Sequence, residues 1–157
     1  MKKIGILGLF AVIVIALTPY FGPNKKAEHG EVIYQEIAKI NQSSLNEVQG
    51  QYFLLHFWAK WCAPCTDEIP VLVSFARFMN DHKNADGKPV QLEKPLRILA
   101  VSLDPTIEES KEILPEKGAN LPPNFILLHD PDHKFAERMG SYQYPETYFI
   151  GPKGDVL

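Results

Sequence analysis

The sequence has only two cysteines in 157 residues, Cys62 and Cys65. A small secreted scaffold stapled by disulfides uses several pairs, so that class is excluded. A bond between these two would close too small a loop to add much stability through chain entropy. Basic charge is also in short supply. There are 16 Lys and Arg against 19 Asp and Glu, and Lys2 and Lys3 belong to the extreme N-terminus. A phosphate-binding surface for nucleic acid is therefore not expected. The five histidines are scattered, with no Cys/His cluster. A tetrahedral zinc site would need two more ligands beside the cysteines, so no metal is expected. Internal repeats and low-complexity stretches are missing as well, which removes solenoids and disordered tails.

Long hydrophobic runs are limited to one. Ile4 to Leu17 carries no charge, follows Met1-Lys2-Lys3, and leads into Thr18-Pro19-Tyr20-Phe21-Gly22. These are the n-region and h-region of a signal sequence. No Ala-x-Ala site follows, and counted to Gly22 the stretch is just long enough to span a bilayer. Residues 1–22 are thus expected to be an uncleaved signal anchor. Lys2 and Lys3 would stay cytoplasmic and the rest would lie in the periplasm or otherwise outside the cytoplasm, in the cell envelope. A stretch apolar on every face does not suit a helix on a soluble core.

The remainder is enough for one globular domain with a real core, the whole chain being 45% hydrophobic. Residues 23–43 read as a polar linker (Asn24 to Gly30) and a short helix from Glu31 to Ile40. Residues 44–157 read as the domain. Ser44-Leu45-Asn46-Glu47 has the form of a capping box, and Gly50 precedes a strand from Tyr52 to Trp58. Ile69, Leu72, Val73, Ala76, Phe78 and Met79 predict a helix over 68–82, kinked at Pro70. A polar loop, Lys83 to Pro95, leads to a buried, parallel strand over 96–103. Thr106 and Glu109 form a second capping box, and the charges from Glu108 to Lys117 read as a solvated face. Phe125 to Leu128 is a third strand. Asp130-Pro131-Asp132 caps a helix over 133–139 that Gly140 stops. Thr147 to Ile150 is a fourth strand, and a turn at 151–154 opens its hairpin partner at Asp155. Strands alternating with helices give an α/β class. A sheet that ends so early in a strand would keep an open edge and face, so a chain truncated at its C-terminus is expected.

Both cysteines lie in Phe57-Trp58-Ala59-Lys60-Trp61-Cys62-Ala63-Pro64-Cys65, where a strand delivers two thiols to a helix start. A thiolate attacks a disulfide, so the attacking cysteine must ionise and be reachable. Free N–H groups and the helix dipole favour the anion at the first cysteine. Cys62 is the candidate nucleophile and Cys65, farther into the helix, the candidate resolving thiol. Pro64 restricts the backbone between them.

These residues resemble the active site of the thioredoxin superfamily. Pro70 matches its kink proline, and Tyr144-Pro145 falls where the superfamily places a cis-proline facing the sulfurs. Within it, the chain is most similar to membrane-anchored TlpA/ResA/DsbE-type (CcmG-like) proteins. The N-terminal segment, the extra strand and helix between Asp104 and Gly140, Glu68 three residues after Cys65, and Pro145-Glu146-Thr147 carry that likeness. It implies a thioredoxin-like fold, a central mixed sheet flanked by helices, with an αβ insertion. It implies a thiol-disulfide oxidoreductase that reduces disulfide-containing client proteins, apocytochrome c among the candidates. A membrane electron donor would reduce it again. The redox-active Cys62–Cys65 disulfide would serve in place of a cofactor. Trp61, Pro64, Tyr144 and Pro145 would contact the client.

One departure is His56, which stands where thioredoxin has a buried aspartate. His56 and Glu68 are both candidate proton relays for the resolving thiol. His56 is equally a hydrogen-bonded core residue, and Glu68 an exposed glutamate favoured by the dipole. Lys60 reads as a surface charge or an aid to the thiolate. Two alternatives stand beside this reading. One is a thiol peroxidase-like redoxin, although no Thr-x-x-Cys site is present. The other is a non-enzymatic metallochaperone or binding module using the pair.

Overall fold

The computed structural model describes residues 25–81 and 95–157. The apolar segment 1–22 and most of the expected 83–95 loop lie outside those residues. In chain order the elements are α1 (Lys25–Ile40), α2 (Gln42–Val48), β1 (Phe53–Trp58), α3 (Ala63–Asn80), β2 (Arg97–Ser102), α4 (Ile107–Lys111), a 3₁₀ turn (Pro115–Gly118), β3 (Phe125–His129), α5 (Lys134–Met139) and β4 (Glu146–Ile150).

The strands form one mixed sheet in the order β3-β2-β1-β4. β1 and β2 are parallel, as are β2 and β3, while β4 runs antiparallel to β1. The continuously apolar β1 and β2 sit in the middle, which is why they are buried on both faces. Phe57 meets Phe135 of α5 edge to face, with ring centroids 5.2 Å apart. Alternation along β1 turns His56 and Trp58 to the opposite face. α3 connects β1 to its parallel neighbour β2 and packs Cys65, Ile69, Val73 and Ala76 inward. The expected hairpin partner appears as an antiparallel bridge between Ile150 and Val156.

Several boundaries differ from the sequence reading. The segment 23–43 is no linker with a short helix: α1 starts at Lys25, and Ile33 and Ile37 are fully buried in the core. Arg138 of α5 pairs with the buried Glu36 of α1. Asn41, not Ser44, caps α2, its side chain accepting from the N–H groups of Ser43 and Ser44 at 2.9 and 3.2 Å. α3 begins at Ala63, at the helix start expected beside the cysteines, so the periodic stretch from Glu68 is its continuation, and it carries Pro70 inside it. Thr106 caps α4 as expected, but α4 ends at Lys111.

α1 is fastened to the turn after β4 by two glycines. A Cβ on Gly154 (φ +79°) would lie 2.7 Å from the Cα of Gly30. Gly154→Ala is therefore expected to lower stability by roughly 2 kcal/mol, combining a left-handed backbone with a backbone clash. Thermal unfolding of the variant against wild type measures it. An unchanged melting temperature would mean that α1 does not dock there.

Candidate active site: two sulfurs at the start of a helix

Cys62 is the N-cap of α3. Its backbone is extended (φ −89°, ψ 102°), and no side chain caps the helix. The first helical turn also carries no acidic residue. The N-terminal N–H groups therefore keep their partial positive charge for an anion at Cys62. Pro64 occupies the second helical position, where a missing N–H costs nothing. Cys62 and Cys65 form a disulfide across Cα atoms 5.3 Å apart. Cys62 is 7% exposed and Cys65 0%. One sulfur can be approached and the other is sealed beneath the helix.

The turn that delivers Cys62 is held from below. Leu103 donates its N–H to the Trp58 carbonyl at 2.9 Å, and the Cys62 N–H reaches Ala59 O at 3.2 Å. The buried Asp104 carboxyl accepts the Lys60 N–H at 2.9 and 3.1 Å, and accepts Ser102 Oγ at 3.0 Å. Ser102 in turn bonds Ser110 of α4. His129 and His133 each donate Nε2–H to a carbonyl at the exit of β2, Asp104 O at 2.8 Å and Leu103 O at 3.0 Å. The sequence reading passed over Asp104, His129 and His133. The available signals were a Ser-x-Asp closing an apolar strand and two histidines four residues apart.

Of the expected client-facing residues, Trp61 and Tyr144 meet. Trp61 is 58% exposed. Its ring meets Tyr144 edge to face at 5.9 Å and lies nearly parallel to His133 at 6.5 Å. The Tyr144-Pro145 bond is cis. Pro64 is exposed beside the sulfurs, and Trp58 is wholly core.

The two candidate relays differ. His56 is fully buried. Its Nδ1 lies 2.8 Å from Thr147 Oγ1, two residues after Pro145, and its Nε2 has no partner. Burial pushes its pKa down to about 4, so the ring is neutral at ordinary pH. Glu68 is half-buried one turn beyond Cys65, on the same side of α3.

Lys60 does not direct its charge at the sulfurs alone. Its Nζ pairs with Glu112, which raises the lysine pKa and lowers the glutamate's, chiefly through that hydrogen bond. Lys60→Ala is expected to leave the melting temperature within error of wild type, because exposed pairs contribute little. A clear drop would contradict this. Glu146 is drawn inward, accepting from Ser141 Oγ. Tyr148 is pushed up to about 12, first by burial and then by Glu146.

No group of three or more His, Cys, Asp or Glu among the described residues is arranged to hold a metal. No helix among them is long and apolar enough to cross a membrane.

Residues 23–157 match the AhpC/TSA family. Thiol-disulfide oxidoreductase ResA of Oceanobacillus iheyensis is 32% identical over 75% of this chain and 54% of its own length. Thiol:disulfide interchange protein CycY of Rhizobium leguminosarum is 31% identical over 70% of this chain and 50% of its own. The chain thus spans about half the length of the curated relatives it matches. Among solved structures, a thiol:disulfide interchange protein from Bacteroides sp. superposes with a TM-score of 0.51 at 26% identity, over 71% of this chain and 65% of that one. StoA from Bacillus subtilis gives 0.51 at 19% identity over 69% and 71%, a likeness of fold alone.

Proposed function

The chain belongs to the AhpC/TSA family and has a thioredoxin-like fold, and from that premise we propose that it is a thiol-disulfide oxidoreductase of the cell envelope, reducing client disulfides through Cys62 and Cys65. The observation that carries this is the unequal access of two bonded sulfurs at an uncapped helix start. The names of ResA and CycY support the reaction class.

In the reduced protein the Cys62 thiolate attacks one sulfur of a client disulfide. A Cys62–client bond forms and the other client sulfur leaves as a thiolate, taking a proton from solvent. Cys65 then loses its proton and attacks Cys62. The client's second sulfur leaves and the Cys62–Cys65 disulfide closes. Two electrons have passed to the client, and an external dithiol must return them. His56 and Glu68 are the groups offered to take the Cys65 proton. For His56 the productive tautomer carries its hydrogen on Nδ1 toward Thr147, leaving the Nε2 lone pair free. Trp61, Pro64, Tyr144 and Pro145 form the surface the client meets. Apocytochrome c is a client this reading offers, with a membrane electron donor for re-reduction and residues 1–22 as the anchor. A peroxide-reducing alternative finds no support in the motif, since Ala59 stands where Thr-x-x-Cys would need its threonine.

Cys65→Ala in the reduced protein is expected to accumulate a covalent adduct with a disulfide-containing client such as insulin, released by dithiothreitol. Cys62→Ala is expected to form none. Non-reducing electrophoresis with mass mapping reads both. Adducts through Cys65 in the Cys62→Ala protein would reverse the roles.

A further inference from the structure

His133 has no part in the exchange just described, yet its backbone is held at φ +58°, in the left-handed region that L side chains rarely adopt. Histidine enters that region more readily than most residues, so what the ring does is read from its contacts. Its ring is fixed at one edge. Nε2 donates to the Leu103 carbonyl at 3.0 Å, and the following helix is tied down by Asp130, whose Oδ2 accepts the Ala136 N–H at 3.1 Å. The ring plane is nearly parallel to that of Trp61, tilted by 16° with centroids 6.5 Å apart.

Trp61 has two ring neighbours. His133 lies nearly parallel to the indole with centroids 6.5 Å apart, and Tyr144 meets it edge to face at 5.9 Å. Tyr144 is itself braced, its hydroxyl donating to Ser141 O at 3.1 Å, while the Ser141 N–H bonds Ala136 O at 2.9 Å. The two neighbours therefore flank α5, one at its N-cap and the other on the segment leaving it. The indole immediately precedes the nucleophile candidate, whose sulfur is nearly covered. A polypeptide presenting its disulfide to Cys62 must run past Trp61.

We propose that His133 is a positioning residue for polypeptide clients. It holds the Trp61 indole parallel to its own ring, so that the indole meets an extended segment flanking the client disulfide as a preformed surface. Preformed surfaces bind better because less side-chain freedom is lost on contact. This deepens the proposed function and rests on it.

The test compares wild-type full-length protein with His133→Gly, His133→Asn and His133→Tyr in insulin reduction, with thermal unfolding and tryptophan emission measured in parallel. Glycine and asparagine tolerate the left-handed backbone, which offsets the lost bond to the Leu103 carbonyl, so their melting temperatures should stay near wild type. Their KM should rise roughly three- to tenfold, the factor one aromatic contact carries, with kcat within about twofold. Tryptophan emission should shift to the red as Trp61 loses its cover. Tyrosine restores a ring and should return KM toward wild type. An unchanged KM and emission in the glycine and asparagine variants would overturn the proposal. So would a loss of kcat matched by a loss of melting temperature, which would mark a purely structural role. A wild-type protein that reduces no insulin would instead overturn the oxidoreductase reading, and this one with it.

Discussion

Lowering the pH from 7 to 4 is expected to cost the folded protein roughly 3 kcal/mol through His56 alone. An unfolded histidine binds its proton near pH 6.5, whereas burial holds His56 down to about 4 in the fold. Above pH 6.5 the ring is neutral in both states and contributes no pH dependence. Between 6.5 and 4 the unfolded chain takes the proton and the native one does not, so stability falls as the pH falls. Below 4 both states are protonated and this contribution levels off. The cause is geometric: His56 is fully enclosed, with Thr147 on Nδ1 and no partner on Nε2 to stabilise a charge. Denaturant melts of wild type and His56→Asn at several pH values isolate the effect, since asparagine can keep a bond to Thr147 but cannot titrate. The wild-type curve should steepen below pH 6.5 relative to the variant. Parallel curves would show that His56 reaches solvent or a carboxylate.

Asp104→Ala should be the most damaging single substitution outside the core, at about 3 kcal/mol, with loss of exchange activity beyond what unfolding explains. The carboxyl is buried and accepts from the Lys60 N–H and the Ser102 hydroxyl. Removing it leaves the Lys60 N–H without its acceptor and Ser102 with Ser110 alone, and frees the turn between Trp58 and Cys62. Asp104→Asn keeps one acceptor oxygen and should recover part of both losses. Thermal melts and insulin reduction below the melting temperature separate the two effects. An alanine variant with wild-type stability would mean that the Cys62 turn is held by β1 and α3 without help from β2.

Much of the fold is legible where local chemistry and tertiary packing agree. Thr106 caps its helix, Gly140 ends the next at φ +76°, and the apolar runs of β1 and β2 occupy the centre of the sheet. The misreadings fall where the local signal is ambiguous. Ser44-x-x-Glu47 has the form of a capping box while Asn41 has no Glu or Gln three residues on, and only the packed structure selects Asn41. The start of α3 escapes a periodicity search because its first turn is Ala-Pro-Cys; the buried stripe becomes regular only once Cys65 is counted with Ile69, Val73 and Ala76. Polar Lys25 to Gly30 reads as linker, yet it continues a helix whose later turns carry Ile33 and Ile37.

The site divides in the same way. Cys62, Cys65 and the aromatic residues around them are a local motif, visible in one stretch of sequence together with Tyr144 and Pro145. The groups that hold the motif in place come from elsewhere in the chain. Asp104 reaches the Lys60 N–H across 44 positions and His133 reaches Leu103 across 30. The positive φ at His133 is not marked in the sequence, since histidine adopts it more often than most residues yet at only a small share of its positions.

The central claim is that Cys62 and Cys65 form a reducing pair, and their reduction potential tests it most directly. Equilibrating the protein with defined mixtures of reduced and oxidised dithiothreitol, then counting free thiols, gives the value. A thiolate favoured only by an uncapped helix start, with Lys60 engaged by Glu112, predicts a potential near thioredoxin's, about −270 mV. A value near that of DsbA, about −120 mV, would contradict the account and make the pair an oxidant.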